Sequence, residues 1–178
     1  MSKTIKICGV QSAYLDYLRQ FDKLVSEDPT QRRKFVGIIL EVNDHSYCAP
    51  LSSPKPKHQR ISDKAPDVVK IDDGKLGVIN LNNMIPILPS AIIPIDIASE
   101  SDPQYRQLLT KQMLFIRANE EFIKKKAKRL YQIIKSKKQP KLNDRCCDFL
   151  FLEQMTMRFG MVSPVTVEEV ATGNAGNQ

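Results

Sequence analysis

Two neighbouring segments constrain this chain more than anything else in it: residues 35–42 (FVGIILEV) and residues 47–58 (YCAPLSSPKPKH). Only the short polar stretch Asn43-Asp44-His45 and one serine separate them. Apolar, β-branched runs on either side of such a turn predict a β-hairpin. Its second strand cannot continue far beyond Ser53. Pro54 and Pro56 each lack a backbone donor and fix φ. The chain must leave the sheet there, carrying Ser52, Ser53, Lys55, Lys57 and His58 with it. Two hydroxyls, two ammonium groups and an imidazole on a rigid strand end suit an anion.

Further strands are expected over residues 3–8, 68–71 and 76–81, with a glycine turn at Asp72-Asp73-Gly74-Lys75. Residues 84–97 (MIPILPSAIIPIDI) are apolar, but Pro86, Pro89 and Pro94 restrict them to short edge strands or a half-turn. Ser12 is placed to cap a helix over residues 13–25. Asp102-Pro103 opens a long helical region whose apolar positions recur every three or four residues, as one helix or as two broken near residues 118–121. A last helix is expected over residues 144–159, capped by Asn143 and ended by Gly160. The fold class is therefore α+β. A small, strongly bent antiparallel β-barrel carries an N-terminal helix and a helical C-terminal region. One domain is expected over residues 1–162, with its β-core at about 3–97 and its helices at about 102–160. Residues 163–178 read as a frayed tail.

The chain is 178 residues long with a net charge of +7, and the surplus is not spread evenly. Residues 111–145 hold 12 basic and 3 acidic side chains. Such a field suits nucleic acid. There is no apolar run long enough for a transmembrane helix, and no secretory leader pattern at MSKTIKICGV, so a cytoplasmic protein without a membrane role is expected. Cys8, Cys48, Cys146 and Cys147 lack zinc-ligand spacing and read as reduced thiols, the first two buried in strands.

Familiar catalytic templates are missing: no glycine-rich phosphate loop, no GxSxG, no HExxH and no paired helical carboxylates. Ser52-x-x-Lys55 matches an SxxK pattern but lacks the SDN and KTG partners that pattern needs. Metal-free RNA cleavage asks less of a protein. The ribose 2′-hydroxyl is the nucleophile, so the site must hold the phosphate, stabilise charge on its oxygens and move protons. The loop holds Ser52, Ser53, Lys55, Lys57 and His58, with Arg33 and Lys34 nearby, and so contains these parts. Ser52, Lys57, His58, Arg32, Lys124, Lys125 and Lys128 are candidates for RNA contact. Tyr47 suits core packing or base stacking, and is counted with the RNA-facing set. Plain RNA binding on the same surface remains the alternative. No cofactor and no metal are called for.

The order FVGIILEV, Tyr47, APLSSPK with Lys57-His58, then KLGVINLNNMIPILPSAIIPID, resembles the ToxN/AbiQ toxins of type III toxin–antitoxin systems. The likeness spans about residues 14–96 and continues into a helical region of similar layout. It implies a barrel like that of Kid and MazF, and a sequence-selective endoribonuclease acting in growth arrest and phage defence. It also implies an RNA pseudoknot antitoxin, processed by the toxin and closed with it into a toxin–RNA assembly, and cellular or phage mRNA as substrate. Carried over by position, Ser53 and Lys55 match the catalytic hydroxyl and lysine, and Lys34 or Arg33 the further basic residue.

Overall fold

The computed structural model describes residues 5–162, and seven strands in it join one antiparallel sheet. β1 (Lys6–Val10) pairs with β2 (Lys34–Val42), and β2 pairs with β3 (His45–Ser52). On its other edge β3 meets two strands in succession. β6 (Ile85–Ile87) pairs along Ser46, Tyr47 and Cys48, and β5 (Val78–Asn80) along Leu51 and Ser52. β4 (Val68–Lys70) lies outside β5, and β7 (Ile92–Pro94) outside β1. The sheet is thus branched at β3. Among the described residues no ladder joins β4 to β7, and the expected closure into a barrel is not drawn by these pairings.

The hairpin forms where expected. Asn43 and Asp44 both take positive φ (47° and 63°), the mirror-image turn that matches strand twist and that Asn and Asp tolerate. Between Gly37 and Leu40 the β2–β3 register slips in a bulge, with Ile38 at φ 56°. A β-branched residue is strained there. The bulge bends the hairpin between its loop end and its turn end.

α1 (Ser12–Arg19) is shorter than the periodicity suggested. The Asp22 side chain accepts from the Leu24 N–H at 2.9 Å and holds a turn in place of further helix. Ser12 does not cap; Gln11 precedes the helix, and the Ser12 hydroxyl pairs with Gln31. A single turn, α2 (Pro56–Gln59), follows β3. The long helical region is two helices. α3 (Pro103–Ala118) is capped by Asp102, whose carboxylate accepts from the Gln104 and Tyr105 N–H groups. Asn119 (φ −116°, ψ 19°) separates it from α4 (Glu120–Ser136), which ends on Lys137 at φ 53°. The short α5 (Pro140–Asn143) comes next. α6 (Phe149–Val162) is the last helix among the described residues, beginning later than expected, where Asp148 accepts from Phe151 N–H at 3.2 Å. Asn143 instead donates to the Ile134 carbonyl, and Gly160 lies inside α6, so neither bounds that helix. The tail expected over residues 163–178 lies outside the described residues.

The core lies between the sheet and the layer of α4 and α6, which pack on β2 and β6. Its centre is polar. Glu153, 7 % exposed, accepts from the Tyr47 hydroxyl at 2.7 Å and the Tyr131 hydroxyl at 2.9 Å, under a stacked Tyr131–Phe149 pair. The four cysteines are buried and free, and burial pushes the Cys8 thiol up to about 11 and Cys146 up to about 12. Among the described residues no helix is long and apolar enough to cross a membrane.

Candidate active site

β3 ends at Ser52, and Ser53, Pro54 and Lys55 run out of the sheet with Ser53 and Lys55 exposed. Pro56, at the first position where its missing donor costs nothing, starts α2. Lys55 caps that turn in an extended conformation (φ −139°, ψ 148°). Its N–H donates to His58 Nδ1 at 3.2 Å, and the His58 N–H returns to the Lys55 carbonyl at 2.9 Å. The His58 ring is buried, with the residue 3 % exposed. Burial, then the charges of Lys55 and Lys57, hold its pKa below the ordinary value. Its place in the interior corrects the expectation that it faces RNA.

The turn before β5 supports this loop from beneath. Gly77 (φ 105°) touches the Ser52–Ser53 backbone so closely that a Cβ there would sit 2.0 Å from the Ser52 carbonyl oxygen. Gly74 (φ 86°) does the same under His58, at 2.8 Å. Gln112, buried on α3, donates to the Leu76 carbonyl at 2.7 Å and pins the turn from behind. From β5, Asn80 Nδ2 donates to the Ser52 hydroxyl at 2.8 Å. That oxygen accepts from Asn80, which leaves its own proton to be donated elsewhere. Gly77 and Asn80 are absent from the sequence-derived site. The clue to Gly77 was a glycine set in a strand-like run, a mark of close backbone approach.

The basic entry to β2 divides. Lys34 is its first residue and stands opposite Leu51, beside Ser52. Arg33 Nε donates to the Glu27 carbonyl at 2.9 Å, which commits its guanidinium to the loop. Buried Asp28 accepts from the N–H groups of both Arg32 and Arg33 at 3.0 and 3.1 Å and sets the path of that loop. Arg32 is exposed. Beside Lys55, a shallow cavity of about 420 Å³ is lined by Pro54, Lys55, Pro56, Gln59 and Arg60. Arg60 is a cation that no motif or spacing singled out.

Two expectations fall elsewhere in space. Tyr47 is fully buried with its hydroxyl on Glu153, so its ring is a core element and not a stacking surface. Lys124, Lys125 and Lys128 line a cavity of about 710 Å³ between α4 and the bulged part of β2, with Ile38, Glu41 and Phe122. That groove lies towards the hairpin turn, away from the strand ends where Lys34 pairs with Leu51. Lys124 pairs with Glu120 at 2.6 Å. Among the described residues no group of three or more His, Cys, Asp or Glu side chains is arranged to hold a metal ion.

The chain belongs to the ToxN toxin family of type III toxin–antitoxin systems, whose family model matches residues 6–157. It is 34 % identical over 173 residues to the endoribonuclease ToxN of Pectobacterium atrosepticum, covering 92 % of this chain and 99 % of that protein. It is also 34 % identical over 165 residues to the endoribonuclease ToxN of Bacillus thuringiensis subsp. kurstaki, covering 86 % and 84 %. A solved type III toxin, described as selectively inhibited by a non-coding RNA pseudoknot, superposes with a TM-score of 0.78 at 32 % identity, covering 89 % of this chain and 99 % of that one.

Proposed function

We propose that this chain is a metal-independent, sequence-selective endoribonuclease toxin that acts in the cytoplasm and is held inactive by an RNA pseudoknot antitoxin. The single observation that carries the reading is the exposed Lys55, fixed in its main chain at the end of a strand that also bears Ser52 and Ser53. In this reading a ribose 2′-oxygen loses its proton and attacks the adjacent phosphorus, and the bond to the 5′-oxygen breaks. The leaving 5′-oxygen takes up a proton, and the products are a 2′,3′-cyclic phosphate and a 5′-hydroxyl. The Lys55 ammonium balances charge on the non-bridging oxygens, where a preorganised cation is most effective. Ser53 holds the phosphate or relays a proton, and Ser52, whose oxygen already accepts from Asn80, donates to it. Lys34 supplies the second cation in preference to Arg33, whose guanidinium is engaged with Glu27.

Lys57, Arg32 and the Lys124, Lys125 and Lys128 stripe contribute phosphate contacts along the RNA. The bulged, branched sheet is read as the bent barrel-like core of the Kid and MazF type. Relatives described with a pseudoknot RNA support the same class of antitoxin here, with cellular or phage mRNA as substrate.

Incubation with end-labelled RNA in EDTA tests this reading. Cleavage with 2′,3′-cyclic phosphate ends is expected. Cleavage abolished by the chelator would remove the metal-free mechanism, and RNA left intact with and without divalent ions would favour a binding module.

A further inference from the structure

His58 is the one buried histidine of the described residues, and its ring does not face the loop's exposed side. Its role is set by a reciprocal pair of bonds. Lys55 N–H donates to Nδ1, and His58 N–H donates to the Lys55 carbonyl. The first bond is one half of a capping box, in which the third residue of a helix reaches back to the main chain of the cap, normally with Glu or Gln; the second is a backbone turn bond, since the Lys55 side chain has no acceptor to offer. An imidazole here accepts at Nδ1 and so carries its proton on Nε2. Glu in the same place would bring a carboxylate beside Lys55, whose positive charge the proposed chemistry uses. A neutral acceptor fixes the lysine's backbone without neutralising its ammonium. The approach of Gly74 to the His58 carbonyl, too close for any Cβ, closes the turn from the other side.

We infer that His58 is a positioning residue for RNA cleavage, holding the main chain of Lys55 through a neutral acceptor and taking no proton in the reaction. The inference rests on the ribonuclease reading above. It separates His58 from the general-base role that a histidine three residues from a catalytic lysine would ordinarily attract.

Two variants test it. His58→Phe keeps a ring of similar size and removes the acceptor; His58→Gln keeps a capping acceptor and removes the imidazole. Against wild type, His58→Phe is expected to lose about tenfold to a hundredfold in kcat, with KM moved less than threefold, as for a small misplacement of a catalytic group. His58→Gln is expected to stay within about threefold of wild-type kcat, because the same capping bond is available to it. Hydrogen exchange at the Lys55 amide gives a readout independent of activity: slowed in wild type and His58→Gln, fast in His58→Phe. His58→Gln as inactive as a general-base deletion, with its Lys55 amide still protected, overturns the inference, and it does so even if His58→Phe fails to fold. Wild-type kcat in a folded His58→Phe overturns it equally. A wild-type chain that leaves RNA intact overturns the ribonuclease reading itself, and the inference with it.

Discussion

Gly77 and the Ser52 carbonyl oxygen meet at a distance no side chain can enter: a Cβ on residue 77 would lie only 2.0 Å from that oxygen. The backbone at Ser52–Ser53 is thus seated directly on a second strand end. Gly77→Ala must push that seat away and also hold φ near 105°, where an L side chain is strained. A loss of about 2–4 kcal/mol in stability is expected. The folded fraction should cleave RNA more slowly than wild type. Urea unfolding, with cleavage assayed well below the transition, checks both parts.

Lys55 and Lys34 should differ from Arg33 in kind. Lys55→Ala is expected to lower cleavage by about 10²-fold or more while RNA affinity stays within about tenfold. Lys34→Ala should follow in the same direction with a smaller loss. Arg33→Ala should alter stability more than turnover, since its guanidinium is bound to the Glu27 carbonyl. Single-turnover cleavage beside filter binding distinguishes these outcomes, and equal turnover losses at 33 and 34 would contradict the assignment.

Glu153 is a buried carboxylate held by two phenols, Tyr47 and Tyr131. Glu153→Ala takes the acceptor from the Tyr131 hydroxyl, leaves the Tyr47 hydroxyl only the Phe149 carbonyl at 3.4 Å, and opens space in the core; a loss of about 3 kcal/mol or more is expected. Tyr47→Phe removes one bond to a charged group, for about 1.5–3 kcal/mol. Neither should change RNA affinity in protein that remains folded. A Tyr47→Phe protein of full stability but weakened RNA binding would return Tyr47 to the RNA surface.

The lowered pKa of His58 has a definite sign in stability. Below the ordinary imidazole value of 6.5 the unfolded chain takes up a proton that the folded ring resists. Stability from this residue is therefore complete above that value and is lost as pH falls from it towards the lower folded pKa. Urea midpoints between pH 7.5 and pH 5, compared for wild type and His58→Gln, isolate the effect. The variant should show the shallower acid decline.

The central hairpin was legible because its signal is local: two β-branched runs and an Asn-Asp turn whose residues accept positive φ. The Asp102 cap was legible for the same reason, whereas the periodicity allowed one helix or two and it is the backbone at Asn119 that divides them. Helix ends were not legible where a side chain competed with the backbone: Asp22 ends α1 early, and Asp148, not Asn143, opens α6. At the site, Ser53, Lys55 and the nearby cations could be proposed from residue type and order. Their supports could not, since Gly77 and Asn80 meet the loop, and Gln112 the turn beneath it, only through long-range contacts that no periodicity encodes. Tyr47 and His58 were misplaced because an amphipathic side chain in a strand or loop carries no mark of which way it points.

The fork in β3 has a further meaning. Between the stretch paired with β6 and the stretch paired with β5 lie Ala49 and Pro50, and Pro50 has no N–H to leave unsatisfied. Two jobs are thereby divided along one strand: β6 fastens the sheet to the helical layer, whereas β5 grips the end that carries Leu51 and Ser52. Substitutions in β5 thus bear first on the Ser52 end of the strand, and substitutions in β6 on the seat of α6, so the two halves of one length of polypeptide can be altered separately.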